Sequence, residues 1–212
     1  MVDDAAAATG RRGRFIAFEG PDGCGKSTQA RRLAQDLDAV LTREPGGTEV
    51  GAQLRAILLD PATTGLGPRA EALLMAADRA QHVHEVVEPA LASGRHVVTD
   101  RFAGSSIAYQ GYGRGLDPSE VRRLSEWATG GVWPDLVVLL DLAPDIASAR
   151  LGSGPDRFEE EDRAFHGRVA DGFRAQAAAE PDRWVVVDGS GSVAEVAEAV
   201  RAAVADRLQL RT

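Results

Sequence analysis

The chain of 212 residues is poor in several residue types on which particular functions depend. It contains no asparagine, one lysine (Lys26) and one cysteine (Cys24). A single cysteine excludes an internal disulfide and any zinc site built mainly from cysteines. Without asparagine, the chain cannot contain the N-K-x-D segment with which P-loop switch proteins read guanine. A regulatory switch of that class is therefore disfavoured.

Positive charge and long apolar runs are also scarce. The formal net charge is −8 and the isoelectric point is near 5.1, which argues against broad nucleic-acid binding. Any phosphate ligand would then be held by local arginines. No run approaches the ~20 apolar residues of a membrane span, and Met1 to Arg12 lack the apolar core of a signal peptide. We expect a cytoplasmic protein that binds neither membranes nor nucleic acids.

Length and composition are those of one soluble globular domain. Hydrophobic residues make up 44% of the chain and charged residues 26%. We expect residues 1–13 to be a disordered extension, because they are acidic, then alanine-rich, then basic. Residues 14–212 are expected to form a single domain with a mobile segment at about 150–160.

A phosphate-binding pattern begins at Gly20, directly after the apolar run Phe15 to Phe18. The stretch Gly20-Pro21-Asp22-Gly23-Cys24-Gly25-Lys26-Ser27-Thr28 fits G-x-x-x-x-G-K-[ST] in the strand–turn–helix context that this P-loop motif requires. Backbone N–H groups of such a turn, and of the helix that follows it, face an anion. An exposed Lys26 would reach the β- and γ-phosphates, and Ser27 would place its hydroxyl on Mg²⁺. Cys24 is interpreted as a small filler.

Strands and helices alternate along the rest of the chain. Apolar runs near residues 15–18, 40–42, 96–99, 136–142 and 184–187 predict five strands, and helical periodicity covers 29–37, 49–59 and 69–93. In the last helix, Leu73, Leu74 and Val83 are expected on an apolar face. This alternation predicts an α/β fold, in which helices cover both faces of a parallel sheet.

Two further segments carry charge toward a phosphate site. Asp100 ends an apolar strand, where an acidic residue would hold Mg²⁺ directly or through water. Arginines bracket the glycine-containing loop from Arg150 to Glu159, which suits a lid that brings positive charge to a transferring phosphoryl group. The loop alone fits a mobile linker equally well.

Taken together, these motifs resemble the thymidylate kinases. The resemblance covers nearly all of residues 14–205 and rests on motifs in the family's order: Phe18-Glu19-Gly20 with the P-loop, Thr42-Arg43-Glu44-Pro45-Gly46-Gly47-Thr48, Leu73-Leu74-Met75-Ala76-Ala77-Asp78-Arg79, Asp100-Arg101-Phe102 with Ser105-Ser106 and Tyr109-Gln110-Gly111, and Asp156-Arg157-Phe158-Glu159. It implies a P-loop NTPase three-layer sandwich, ATP as co-substrate, Mg²⁺, and phosphorylation of dTMP to dTDP. It also implies a homodimer.

The resemblance further implies roles for individual residues. Arg101 and Arg43 would hold the dTMP phosphate, Asp22 the 3′-hydroxyl, and Arg79 and Ser106 the thymine, while Tyr109 would exclude a 2′-hydroxyl. Arg101, Ser105 and Tyr109 are spaced by four residues, as are Ser106 and Gln110 and also Met75 and Arg79, so each set lies on one helical face. The catalytic arginine of the bacterial arrangement would come from the lid, with Arg157 the first candidate and Arg150 the second. The ATP phosphates would contact Gly20, Asp22, Gly23, Cys24, Gly25, Lys26, Ser27 and Thr28.

Two positions depart from the usual family pattern. Met75 stands where a phenylalanine usually stacks on thymine, and Phe102 stands where a tyrosine is frequent. The alternative function is that of a nucleotide kinase acting on another pyrimidine monophosphate such as dUMP. Since the acceptor phosphate is already ionised at neutral pH, positioning and charge neutralisation are expected to dominate catalysis.

Overall fold

The computed structural model describes residues 12–150 and 156–210. At its centre lies a parallel sheet of five strands: β1 (Phe15–Glu19), β2 (Val40–Arg43), β3 (Val97–Asp100), β4 (Leu136–Asp141) and β5 (Trp184–Asp188). Their spatial order is β2-β3-β1-β4-β5. The predicted α/β fold, with five parallel strands, is confirmed.

Nine α-helical segments and two π-helical segments are present in these described ranges. The α-helices are α1 (Lys26–Asp36), α2 (Glu49–Leu59), α3 (Pro68–His82), α4 (Glu88–Ala92), α5 (Ala103–Ser106), α6 (Pro118–Thr129), α7 (Pro144–Ala149), α8 (Arg163–Ala179) and α9 (Val193–Leu208). The π-helical segments, Val83–Val87 and Ile107–Gly113, continue α3 and α5. None of the described helices is long and apolar enough to cross a membrane.

Helices cover both faces of the sheet because successive strand residues point to opposite sides. Within β1, Ile16 and Phe18 pack with α1 and α9, whereas Phe15 and Ala17 pack with the π-helical segment after α3 and with Phe102. All five β1 residues are fully buried. Such continuous burial is typical of a central parallel strand.

Local hydrogen bonds define where several helices begin. The Thr48 hydroxyl accepts the Gly51 N–H at 2.9 Å and starts α2. Asp117 and Asp162 cap α6 and α8 in the same way, and Ser192 and Glu195 form a capping box on α9. Each cap satisfies a backbone donor that the helix itself leaves unpaired.

The predicted apolar face of α3 is wrong at Leu73. That side chain is 58% exposed, whereas Val83 is buried. The buried face of α3 instead carries four polar or charged residues, Glu71, Asp78, Arg79 and His82. A periodicity of apolar residues cannot locate such a face.

Two predicted mobile regions fall partly outside the described residues. Residues 1–11 and residues 151–155 of the predicted lid lie there. Of the predicted extension, Arg12 and Gly13 are described: Arg12 pairs with Asp135 at 3.2 Å, and the Gly13 N–H donates to the Leu91 carbonyl at 3.0 Å.

Candidate active site

Three functional segments meet because of the strand register. In the parallel sheet, Asp100 lies beside Arg43 on one side and beside Phe18 on the other. The chain segments that leave the carboxyl ends of β1, β2 and β3 therefore meet at one edge. There they form a cleft of about 410 Å³, into which most of the predicted site residues are brought.

The loop after β1 has the conformation that the glycine pattern predicted. Gly20, Gly23 and Gly25 have φ values of 142°, 80° and 95°, which other residues rarely adopt. A Cβ atom on Gly20 would also lie 2.5 Å from the Leu140 carbonyl oxygen. The loop then enters α1 at Lys26, so the amino end of this helix faces the cleft.

Lys26 is buried, contrary to the expectation of an exposed side chain. Only 6% of it is accessible, and its ammonium group donates to the Pro21 carbonyl at 2.6 Å and lies 3.7 Å from the Cys24 sulfur. The loop therefore wraps around its own lysine. This position concentrates positive charge where the backbone N–H groups converge.

Ser27 and Asp100 lie together, as the sequence predicted. The Ser27 hydroxyl donates to Asp100 Oδ2. The other carboxylate oxygen, Oδ1, is buried and has no hydrogen-bond partner in the described part of the chain. An unpaired buried carboxylate oxygen beside a serine hydroxyl suits a hard cation such as Mg²⁺.

Arg101 forms the centre of a polar cluster on the cleft wall. Its guanidinium donates to Asp22 at 2.5 Å, to Ser105 at 2.8 Å and to the Tyr109 hydroxyl at 3.2 Å. Tyr109 in turn donates to Asp22 at 2.5 Å. The predicted spacing of Arg101, Ser105 and Tyr109 on one face is confirmed by these contacts.

The local charges determine how this cluster titrates. Burial alone would raise the pKa of Asp22, but the positive charges of Arg101 and Lys26 lower it well below its ordinary value. Burial and the negative charge of Asp22 raise the pKa of Tyr109. Asp22 is therefore an ionised acceptor, and Tyr109 a neutral donor, at neutral pH.

Arg101 also has an unusual backbone. Its φ of 72° lies in the left-handed region, which is unfavourable for a residue with a long side chain. The Arg101 N–H donates to the Phe18 carbonyl at 2.9 Å, and the following N–H, of Phe102, donates to Glu19 at 3.0 Å. These bonds hold the turn that directs Arg101 into the cleft.

Glu19 lies buried beneath this turn and was not assigned a role from the sequence. It accepts hydrogen bonds from the Phe102 N–H, from the Ser105 N–H at 2.9 Å and from the Ser105 hydroxyl at 2.5 Å. Burial raises the pKa of Glu19 to about 7, against the opposing effects of Ser105 and Arg101. The hydroxyl of Ser105 thus links Glu19 to Arg101.

Arg79 is held by partners on several sides. Its Nε donates to Glu44 at 2.9 Å, Nη1 to Ser125 at 3.2 Å, and Nη2 to both Ser106, at 3.0 Å, and the Phe102 carbonyl, at 3.3 Å. Because a guanidinium has five N–H groups, one remains for a ligand. Glu44 was quoted only as part of a motif, yet it anchors Arg79.

The opposite part of the cleft is more apolar. Met75 and Leu59 line it together with the buried Phe158, and Gln110 contributes an amide. Phe158 packs edge-on against Tyr109, with ring centroids 5.6 Å apart. Sequence reasoning missed Phe158, whose only signal is its place within the Asp156-Arg157-Phe158-Glu159 motif.

Arg43 and Arg55 bring positive charge to the cleft without a carboxylate partner among the described residues. Arg43 is exposed, and Arg55 donates to the Pro45 carbonyl at 2.8 Å. Burial and the neighbouring charge of Arg43 lower the pKa of Arg55. Sequence reasoning missed Arg55. Its one signal is the helical spacing that puts it on the face of α2 shared by the buried Gly51 and Leu58.

The two predicted lid arginines lie in different places. Arg157 turns away from the phosphate-binding loop, since it pairs with Glu71 at 2.7 Å and donates to the Leu58 carbonyl at 2.9 Å. The Arg150 guanidinium donates to the Gly189 carbonyl at 3.1 Å. A Cβ on Gly189 would lie 3.6 Å from the Cys24 carbonyl oxygen, so this turn borders the phosphate-binding loop. Of the two predicted lid arginines, Arg150 is therefore the one beside the phosphate-binding loop.

The chain is similar to known proteins over most of its length. A family model described as "Thymidylate kinase" matches residues 18–200. The thymidylate kinase of Solidesulfovibrio magneticus is 52% identical over 200 residues, covering 88% of this chain and 96% of the relative. That of Synechococcus sp. strain JA-3-3Ab is 51% identical over 201 residues, covering 92% and 96%. The crystal structure of thymidylate kinase from Ehrlichia chaffeensis matches with a TM-score of 0.77 and 32% identity, over 91% of this chain and 99% of the other.

Glu19 predicts a specific pH dependence of stability. Its pKa is raised from 4.5 to about 7 in the folded protein. Between these values the folded state binds more protons than the unfolded state, so the contribution of Glu19 falls as the pH rises. Relative to Glu19→Gln, the unfolding free energy of the wild type should therefore decrease by about 1.4 kcal/mol per pH unit across this window.

Denaturant unfolding of both proteins at pH 5, 6, 7 and 8 measures this difference. Other titrating groups are common to both chains and cancel. A difference that stays constant from pH 5 to pH 7 would show that Glu19 has an ordinary pKa.

Proposed function

Because this chain belongs to the thymidylate kinase family and phosphorylates dTMP with ATP, we propose that the transfer takes place in the cleft at the edge of the sheet. The observation that carries this proposal is the convergence of the phosphate-binding loop, the Arg43 segment and the Asp100-Arg101 turn on one cavity. Such a site lies where parallel sheets of this type bind their ligands.

The donor phosphates bind the loop from Gly20 to Thr28 in this proposal. Backbone N–H groups and the amino end of α1 surround the anion, and Lys26 exchanges its contact with the Pro21 carbonyl for contacts with the phosphates. This contact stabilises the negative charge of the transition state.

We propose Ser27 and Asp100 as the residues that hold Mg²⁺, directly or through water. The unpaired Asp100 Oδ1 beside the Ser27 hydroxyl supports this assignment. No group of three or more His, Cys, Asp or Glu that could hold a metal occurs among the described residues, so phosphate oxygens and water complete the set. When bound, the ion neutralises charge on the phosphates.

The acceptor phosphate lies between Arg101 and Arg43 in this proposal, and Arg55 is added to the predicted set. Arg43 and Arg55 form no salt bridge with a carboxylate in the described part of the chain, and partial burial disfavours the charge of Arg55. An incoming dianion supplies that counterion. The cluster therefore binds the acceptor phosphate and draws it toward the donor.

Sugar and base contacts follow from the remaining walls. Asp22 accepts from the 3′-hydroxyl, and the ring of Tyr109, held at Asp22 and Arg101, occupies the space of a 2′-hydroxyl. Arg79 and Ser106, which both line the cleft, are proposed to contact the base edge. Gln110 meets the ring at its N3 position, while Met75 covers one face of the base.

The chemistry needs no general base. A phosphate oxygen of dTMP is already ionised and attacks the γ-phosphorus of ATP, whose β–γ oxygen bond breaks as ADP leaves. The buried Glu19 has no role as a base here, since its hydrogen bonds hold Ser105 and the Arg101 turn. Positioning and charge neutralisation by the chain's own arginines carry the reaction.

We also propose that residues 14–212 act as one nucleoside-monophosphate-kinase-like unit, that the enzyme is a homodimer, and that it works in the cytoplasm. Family resemblance supports the homodimer, and the net charge of −8 is compatible with a cytoplasmic protein that does not bind nucleic acids. The relatives named thymidylate kinase favour dTMP over dUMP as the acceptor.

Substrate choice and the role of Lys26 can be tested together. Coupled ADP-release assays with dTMP, dUMP, UMP, CMP and AMP should give the highest kcat/KM with dTMP. Lys26→Ala should lower kcat with dTMP by roughly 100-fold or more, because a preorganised charge contact of ~3 kcal/mol is lost.

Thermal melting of Lys26→Ala provides the control, since the variant also loses a buried hydrogen bond to the loop. If the Lys26→Ala variant folds and keeps near-normal turnover, the loop from Gly20 to Thr28 does not bind the donor phosphates as proposed. If an acceptor other than dTMP gives the highest kcat/KM, the proposed contacts to thymine are wrong. The proposed role of the phosphate-binding loop would not be affected.

The positions of the lid arginines lead to opposite expectations. Arg150→Ala should lower kcat by on the order of tenfold or more, because Arg150 borders the phosphate-binding loop and can bring charge to the donor. Arg157→Ala should retain kcat and lose stability, because it leaves Glu71 without one of its partners.

Steady-state kinetics and thermal melts of both variants separate the two roles. Arg157→Ala serves as the matched control for Arg150→Ala, since each variant removes one arginine of the predicted lid. If only Arg157→Ala loses kcat, Arg157 is the catalytic arginine of the lid, as the sequence predicted.

Met75 generates a prediction about base binding. It is half-buried, lines the cleft and packs against the aromatic cluster that contains Tyr109 and Phe158. A phenylalanine would give thymine a rigid ring face, and such stacking contributes ~1–3 kcal/mol. Met75→Phe should therefore lower the KM for dTMP several-fold and leave the KM for ATP unchanged.

Overpacking is the competing effect at this position. Melting curves measured beside the kinetics detect it. An unchanged dTMP KM with a lowered melting temperature would mean that Met75 belongs to the core and not to the base site.

A further inference from the structure

Glu71 is a fully buried carboxylate on α3 with three side-chain partners. Gln110 Nε2 donates to it at 2.9 Å, Arg114 Nε at 3.2 Å and Arg157 Nη1 at 2.7 Å. None of the roles assigned so far explains why a negative charge should be buried at this point. Burying it is costly unless such partners surround it.

The partners of Glu71 fix the direction of the Gln110 amide. Two guanidinium groups lie on the carboxylate, and an ionised carboxylate can only accept hydrogen bonds. Gln110 must therefore turn its NH₂ group toward Glu71. Its oxygen is then the polar atom of the side chain that remains for a ligand in the cleft that Gln110 lines.

That oxygen is an acceptor without a donor. Gln110 is fully buried, and its Oε1 has no hydrogen-bond partner among the described residues. An unpaired buried acceptor is unfavourable, so its persistence beside a cleft points to a ligand that brings an N–H group.

Resting on the proposed function, we propose that Glu71 is a positioning residue that selects bases with a proton on N3. Thymine and uracil carry an N–H at this ring position, whereas cytosine presents a lone pair there. When the Gln110 amide is held with its oxygen toward the base, this oxygen accepts the N3–H of thymine or uracil. The same oxygen is repelled by the N3 lone pair of cytosine. Glu71 thus sets selectivity without touching the substrate.

The substitution Glu71→Gln tests this inference. The new amide can donate as well as accept, so Gln110 is free to turn its NH₂ group toward the base. The ratio of kcat/KM for dTMP to that for dCMP should fall by on the order of tenfold, mainly through KM. The KM for ATP should not change. A merely structural defect would instead lower kcat/KM for dTMP and for dCMP by the same factor and leave their ratio unchanged.

Glu161→Gln provides the matched control. Glu161 also pairs with Arg114, but Gln110 is not among its hydrogen-bond partners in the described part of the chain. This variant removes a negatively charged partner of Arg114 and should keep the wild-type ratio of kcat/KM for dTMP to that for dCMP. If it lowers the ratio as much as Glu71→Gln does, the general loss of charge and not the amide direction is responsible, and the inference fails.

Gln110→Leu separates this inference from the proposed function. If Gln110→Leu leaves the dTMP KM unchanged, Gln110 does not read the base and the proposed base site is wrong. If Gln110→Leu raises that KM while Glu71→Gln keeps the dTMP to dCMP ratio, the base site stands and the role of Glu71 is refuted.

A double variant covers the case in which Glu71→Gln does not fold. Glu71→Gln combined with Arg157→Gln leaves no arginine unpaired at the position of Arg157. The same fall in the ratio is expected from it. A folded double variant with the wild-type ratio would overturn the proposal.

Discussion

Burying negative charge is the constraint around which the cleft is built. Glu19, Glu44 and Glu71 are at most 4% exposed, and each contacts a residue that lines the cleft. Such carboxylates are tolerated only when donors surround them. The donors here are side chains and backbone groups that also face the substrates, so satisfying the glutamates and shaping the site are the same event.

Each buried glutamate orients a different part of the site. Glu19 fixes Ser105 and the turn at Arg101, Glu44 fixes Arg79, and Glu71 fixes Gln110. Groups held in this way need little reorganisation when ligands arrive, which is the main electrostatic advantage of an enzyme over water. Arg43 and Arg55 differ from these groups, because no glutamate among the described residues holds them. In the proposed function their positive charge is neutralised by the acceptor phosphate.

The sequence predicts the sheet and the motif residues well, because both depend on short-range patterns. Apolar runs locate all five strands, and the four-residue spacing correctly brings Arg101, Ser105 and Tyr109 together. The π-helical geometry of residues 107–113 and the buried polar face of α3 could not be predicted, since both depend on tertiary contacts. The contact of Arg157 with Glu71 could not be predicted either, because the two residues lie far apart in sequence.

The burial of Lys26 has a consequence for chemical labelling. It is the only lysine of the chain, so the protein has one side-chain amine, and that amine is 6% exposed inside the phosphate-binding loop. Reagents that acylate amines therefore have no lysine on the outer surface to modify. The rate at which Lys26 is acylated therefore measures access to this one site. That access depends on the opening of the loop and on bound nucleotide.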